Sequence, residues 1–512
     1  MADKVQEHDK QVLHKLGYAQ ELSRRMSGFS NFAISFSIIC ILAGGISAFP
    51  AAFNALGGGG AFLIWLVGGI LALSVAFGLG QIASSFPTAG GLYHWSSHLG
   101  GKAWGWATAW FNLVGLIAVV SSVDVLLYTV FFKGILLTDT LHMDTSSFGY
   151  WHQLIFVAVV LITQSLLNHY GIDLTTKVTD LSGYLIFALT IILIIALFAF
   201  SPVALDFSRL FSFQNFTGDP GGAVVPFRTE SVAFAFLLGL VYVCYTITGF
   251  DASAHTSEET KDAQVNVPKG MWTAVFWSWV FGLVAVAAYV LTMPSIKEGA
   301  AAGWGSFDYI WNASLMPQWL KIFLAVGLVV VNYICALAGL TSTSRMMYAF
   351  SRDGGLPGSK ALATVSVQHR TPIYAIWVSA ALALISTIYA PYYLVLAVAC
   401  AVFLYISMVM PIAAGLLAEG GPKWREKGPF NLGGLSKANA VFAIIFGIVL
   451  AITGFFPPNQ QVFYVTIAML IIMPIIWYAF ERNRFEGVPE GEKIAQRQKM
   501  IAEVEKKYGE GD

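Results

Sequence analysis

Two carboxyls and one histidine stand where charge is expensive. When the charged residues are assigned to polar stretches, Asp124 and Asp251 are left inside long apolar runs. An acid near mid-bilayer costs on the order of 2.5–3.5 kcal/mol even on a lenient insertion scale, so each is a functional candidate by default. His255 follows Asp251 by four residues and shares its face if the helix is regular. Such a pair can hold a substrate amine, relay a proton, or both. The plainer alternative makes Asp251 a helix cap, because Asp at a helix start accepts from free backbone N–H groups. Asp124 divides evenly between function and structure, and His255, nearer the end of its run, leans toward structure.

Backbone chemistry is the second resource. Ala43-Gly44-Gly45-Ile46-Ser47-Ala48-Phe49-Pro50 places paired glycines in mid-run with a proline soon after. Tyr245-Thr246-Ile247-Thr248-Gly249-Phe250-Asp251 combines β-branched residues, glycine and an acid. An intact helix consumes its own hydrogen bonds, whereas an unwound stretch frees N–H and C=O groups for a ligand. Irregular backbone survives at membrane depth only inside protein or beside a wet cavity. Free N–H groups after Gly45 suit a carboxylate, and carbonyls ending the preceding half-helix suit an ammonium. The competing reading is a glycine pair that lets two helices approach closely.

The elements that must position these groups are transmembrane helices. The 512 residues are 57% hydrophobic and 11% charged, with mean hydropathy +0.68. Soluble proteins are about a quarter charged, so the composition excludes a soluble enzyme, a disordered chain and a nucleic-acid binder. Runs of roughly 20 apolar residues, enough to cross a bilayer, begin near Phe29, Gly60, Gly101, Tyr150, Thr176, Ser231, Met271, Trp319, Pro372, Tyr392, Ala438 and Gln461. That predicts twelve spans, with breaks in the first and sixth. No cleavable signal pattern precedes the first, so it is expected to be retained.

With the N-terminus in the cytoplasm, 24 of the 29 Lys and Arg fall on the cytoplasmic side, as the positive-inside bias demands. Both termini are then cytoplasmic. An odd set of five spans turns the next five upside down, and corresponding broken helices in inverted halves mark a transporter's midplane site. The expected organisation is a tail over 1–28, one five-helix repeat over 29–200, an inverted repeat over 231–418, two further helices over 437–480, and a tail over 481–512. The first tail, with Arg24 and Arg25, reads as a lipid anchor ahead of a gate partner, and the last as a solvated appendage. The Gly57–Gly60 run reads as an outward loop.

Cys40, Cys244, Cys335 and Cys400 all lie in apolar runs without ligand spacing, so no disulfide framework or metal site is expected and the thiols read as packing. The chain has no GxxxxGK[ST], HExxH or GxSxG, hence no ATP-driven pump or hydrolase of those types and no expected cofactor.

Several segments resemble a known family. Pro87-Thr88-Ala89-Gly90-Gly91-Leu92-Tyr93 is similar to the P-x-A-G-G-x-Y signature of permeases of the amino acid–polyamine–organocation superfamily. Gly249 to Thr260, Ser344 to Pro357 and Asn31 to Ser37 resemble its amino acid/choline transporter branch, which contains γ-aminobutyrate and choline permeases. The resemblance implies an all-α fold with a five-plus-five inverted core, two peripheral helices and alternating access. It places Gly44, Gly45, Ile46 and Ser47 around a substrate carboxylate and carbonyls near Thr246, Thr248 and Gly249 around its amine. It further implies that Tyr245 stands where an aromatic covers the bound substrate and that Phe250 and Asp251 line the adjoining pocket. One departure stands out: the lysine that some proton-coupled relatives carry in helix 5 is missing between Lys177 and Arg209.

The function expected is therefore a secondary transporter of the cytoplasmic membrane for an amino acid such as γ-aminobutyrate, with choline or a polyamine as the alternative substrate. Its coupling candidates are Asp251, Asp124 and His255, and proton symport is favoured over sodium symport and exchange. Thr341, Ser342, Thr343 and Ser344 offer hydroxyls of the kind a sodium site uses, although such groups commonly bond their own helix. A permease-like receptor without transport is disfavoured because such receptors usually have long tails.

Overall fold

The computed structural model describes residues 2–220, 224–389 and 392–508, and every named element among them is helical. The last four residues of the expected C-terminal tail lie outside this set. In chain order the main helices are α1 (Ala2–Lys15), α2 (Gly28–Ile39), α3 (Ile41–Ser85), α4 (Gly91–Gly100), α5 (Lys102–Leu126), α6 (Tyr150–His169), α7 (Ile172–Ala199) and α8 (Val232–Thr246). They continue with the short α9 (Ala252–His255), α10 (Ala263–Thr292), α11 (Gln318–Arg352), α12 (Ile373–Tyr389), α13 (Tyr393–Ala418), α14 (Ser436–Thr453), α15 (Gln460–Ile476) and α16 (Glu492–Tyr508). Helix α5 runs on into a π-helical stretch, Leu127–Thr140. Among the described residues, nine helical stretches are long and apolar enough to cross a membrane, and two shorter apolar ones are Val232–Thr246 and Ile373–Tyr389.

The first of those stretches, Gly28–Ser85, has 58 residues. Straight, it would reach about 87 Å, nearly three times a hydrocarbon core of about 30 Å. It turns at Leu56 and Gly57, where Gly57 adopts φ 74°. This corrects the outward loop expected at Gly57–Gly60: the glycines are buried in a helix corner. The segment after α7 closes over them, with the Gly59 N–H donating to the Ser212 carbonyl at 2.9 Å and the Gln214 N–H to that of Leu56 at 3.0 Å. Four small residues in succession admit another backbone that closely, and composition alone does not separate such a corner from a loop.

Helix α3 packs against α8 and α10, and α5 against α13 and α11. The α3–α10 contact is reciprocal. A Cβ on Gly282 would stand 2.4 Å from the Trp65 ring, and one on Gly69 would collide with Trp279. The Trp279 indole N–H in turn donates to the Leu66 carbonyl at 3.1 Å. Each helix thus offers a glycine notch to the other's tryptophan.

Both tails depart from expectation. The N-terminal segment is folded under the bundle rather than left to lipid. Asp9 accepts from the backbone N–H of Asp262 (2.7 Å) and of Ala263 (3.1 Å), capping α10. Arg24 donates to the carbonyls of Ser257 and Thr260, and Tyr18 and Leu22 are buried. Only Arg25 keeps the exposed character expected of the pair, beside Asp173. Helix α16 is docked on this segment: Glu505 accepts from Lys10 and from the Gln20 N–H, and Arg497 reaches Asp353 at 3.0 Å. Charge patterning suggests solvation because it cannot reveal that Glu505 and Arg497 meet partners 485 and 144 residues away in the chain.

Candidate functional site

The chain leaves helical geometry at two places that abut in space. The first is Cys40, which adopts a left-handed conformation (φ 37°, ψ 65°) between α2 and α3. The second follows α8, where Ile247 to Asp251 is not α-helical and Gly249 has φ 78°. A Cβ on Gly249 would lie 2.3 Å from Ile38, in the last turn of α2. Glycine there is required twice over, by its backbone angle and by the contact.

The first break is thus earlier than the glycine pair indicated. Gly44, Gly45, Ile46 and Ser47 are part of α3, and the Gly44 N–H donates to the Cys40 carbonyl at 2.9 Å. Gly44 answers a packing need, since a Cβ would come 2.6 Å from Thr246 Cγ2. The first N–H groups of a helix have no partner within it, so the donors left free by the helix start belong to the turn after Cys40, not the turn after Gly45. The Cys335 thiol donates to the Ile38 carbonyl at 3.0 Å, serving the frayed end of α2.

Between the breaks lies a cavity of about 20 Å³ lined by Cys40, Gly44, Tyr245, Thr246, Thr248, Asn332, Cys335 and Cys400, among others. That is room for about one water. Of the expected residues, Gly44, Tyr245, Thr246 and Thr248 line it; Gly45, Ile46, Ser47, Gly249, Phe250 and Asp251 do not. Tyr245 donates to Ser122 of α5 at 3.2 Å, and Thr246 to the Gly44 carbonyl at 2.8 Å, the bond that ties the two interrupted stretches together. The Thr248 hydroxyl is buried without a partner, so it is the polar atom most in need of a ligand. Three of the four cysteines face the cavity. Their position in apolar runs carried no signal for this, because a thiol at a packing contact and one at a cavity wall look identical in sequence. Asn332, a lone amide in mid-run, was the more legible clue; its side chain donates to the Val123 carbonyl at 2.9 Å.

Asp251 lies just behind the cavity wall and is fully buried. It occupies the N-cap position of α9 without a side-chain cap bond, so the capping alternative does not describe it. Its Oδ2 instead receives Asn112 at 3.1 Å and meets His255 Nε2 at 3.3 Å. The other ring nitrogen of His255 stands 3.2 Å from the Ala89 carbonyl. A carbonyl only accepts, so Nδ1 carries hydrogen and a neutral ring has a bare Nε2. The contact with Asp251 then needs one more proton, on the carboxyl or on the imidazole. Asp124 is placed elsewhere. It accepts from Gln164 at 3.0 Å while its second oxygen is unpartnered. On α5 it is twelve residues from Asn112, about 18 Å along the axis, so the two acids work at different depths. The hydroxyls of Thr341, Thr343 and Ser344 each bond a carbonyl of their own helix, which is the structural alternative weighed for them.

A model of the amino acid permease family matches residues 26–479. The chain belongs to that family. The permease is 32% identical over 505 residues to an amino-acid permease BAT1 homolog of Oryza sativa subsp. japonica, covering 93% of this chain and 94% of the relative. It is 32% identical over 467 residues to the amino-acid permease BAT1 of Arabidopsis thaliana, covering 86% and 87%. A GABA-specific permease of Saccharomyces cerevisiae is 29% identical over 383 residues, covering 72% of the permease and 64% of the relative. With its long apolar helices, the permease is an integral membrane protein of a transporter family.

Proposed function

We propose that this permease carries an amino acid such as γ-aminobutyrate across the cytoplasmic membrane by alternating access, coupled to a proton held between Asp251 and His255. In this reading the long first stretch contributes two spans, α8 with α9 forms the sixth, and α12 the ninth, making twelve. Spans one to five and six to ten are inverted repeats, and both termini are cytoplasmic.

The observation that carries the reading is the pair of abutting backbone breaks with a cavity between them, lined by Thr246, Thr248 and the turn at Cys40. Unpaired backbone at that depth is tolerable if a small charged solute completes it. A cavity with room for one water must widen for an amino acid, and the two half-spans are the elements free to move. Proton coupling is supported by the His255–Asp251 contact, which needs one transferable proton.

The test is uptake by purified protein in liposomes, with amino acids, γ-aminobutyrate, polyamines and choline offered under separately imposed proton and sodium gradients. Wild-type uptake should follow the proton gradient. Asp251→Asn should insert normally yet lose concentrative uptake by at least tenfold. Unchanged coupling in that variant removes Asp251 from the mechanism.

A further inference from the structure

A recess of about 760 Å³ opens at the end of the bundle opposite the tails, within the size range of small-molecule sites. Its walls come from the π-helical end of the third span, the start of α6, the short helix Ser306–Ala313 and the start of α13. Charges of both signs line it. Asp139 is held by the Asn312 amide at 3.1 Å. Lys133 gives one N–H to the Phe148 carbonyl at 2.7 Å and has two more to offer. Asp308 is different: burial and the neighbouring Asp139 charge act on its carboxyl, and no donor reaches it among the described residues. Tyr128, also on the wall, is 4% exposed and its hydroxyl has no partner among the described residues. A buried phenol without a hydrogen bond costs stability, and here it borders a cavity that Asp308 also lines.

We infer that this recess is an outer waiting site for a zwitterionic amino acid, with Asp308 and the Tyr128 hydroxyl receiving its ammonium and Lys133 its carboxylate. The inference rests on the transporter reading for its purpose, but not for its chemistry. Charge-assisted bonds at both ends of the ligand are stronger than neutral ones, and Tyr150 and Tyr393 on the same wall offer aromatic faces to an ammonium. Tyr393 lies within electrostatic reach of Asp308 on one side and Tyr242 on the other, so the recess adjoins the broken sixth span.

Burial and Asp139 push the Asp308 carboxyl up to about 7. An ammonium favours the ionised form, so binding strengthens as pH rises through about 7 and is lost below it. The titratable groups around it are Asp139 and Lys133 on the third span and the Tyr128 and Tyr393 phenols, with Lys321 and His142 in electrostatic reach of Asp139.

The experiment uses the full chain with γ-aminobutyrate, alanine, lysine and n-butylamine as probes. Uptake is measured in liposomes from pH 5.5 to 8.5, and binding by calorimetry on the purified protein. Asp308→Asn should raise KM about tenfold, or about 1.4 kcal/mol, with a smaller change in maximal rate and a flattened pH profile of KM. Tyr128→Phe, which keeps the ring, should raise KM several-fold. Lys133→Gln should weaken γ-aminobutyrate but spare n-butylamine, which has no carboxylate. If wild type takes up a probe and these variants leave its KM and pH profile unchanged, the waiting site is overturned while the transporter stands. If nothing is taken up but a probe binds in an Asp308-dependent way, the transporter reading falls and the site stands. No binding of any probe to wild type overturns the site.

Discussion

At the scale of single residues, the groups that matter are those whose hydrogen bonding is incomplete. Thr248 is the clearest: its hydroxyl is buried at the cavity wall with no partner. Leaving a buried hydroxyl unpaired costs about 1–3 kcal/mol, so Thr248→Val should hold or raise the melting temperature. The same change should raise KM for uptake several-fold, because the substrate loses the group that awaited it. A fall in both stability and affinity would show that Thr248 has a structural partner instead. Asp251 and His255 were legible from their spacing, because four residues apart on a helix means one face. Asn112 and Gln164, the amides that hold Asp251 and Asp124, were not, since their partners lie 139 and 40 residues away in sequence.

Helical elements carry the second set of consequences. Sequence marked the interruption after α8, where Gly249 takes a positive φ, but it put the break of the first long stretch at the Gly44–Gly45 pair rather than at Cys40. A left-handed cysteine has no propensity signature, while a glycine pair reads as flexibility even when it is a packing notch. Two alanine substitutions separate these roles. Gly249→Ala must adopt a left-handed angle and displace Ile38, so it should lower stability by more than about 1 kcal/mol and lower the melting temperature. Gly45→Ala meets nothing nearer than 3.9 Å and sits inside a helix, where alanine is favoured by up to about 1 kcal/mol. Its melting temperature should be equal or higher.

Over the whole molecule the two ends are unlike. The tail end is sealed by buried ion pairs, Glu258 with Arg352 at 2.9 Å and Glu259 with Arg345 at 3.0 Å. Tyr18 adds to the seal, lying 4.0 Å beneath the Arg352 guanidinium and donating to Asp353, with α16 docked over it. The opposite end carries the open recess. Docking of α16 depends on Glu505. Burial opposes its charge, but the Gln20 N–H, Lys10 and His14 outweigh burial and hold its carboxyl below the usual range. Its contribution is therefore present above the unfolded value of 4.5 and lost as pH falls through the lower folded one. Hydrogen exchange in Glu492–Tyr508 should accelerate below about pH 4.5, and Glu505→Gln should exchange faster at neutral pH with no such acid step.

What the amino-acid sequence determined by itself was the solvent and the scaffold. Apolar run lengths mark the helices able to cross a membrane because bilayer thickness and helical rise are fixed quantities. Local spacing also brought Asp251 to His255, and a glycine with an obligatory positive φ marked the sixth-span break. Tertiary structure alone decided where the first long stretch breaks, which cysteines line the cavity and which charges close one end. Those outcomes depend on contacts between residues far apart in the chain, where a neighbour's shape, not a residue's own preference, settles the conformation.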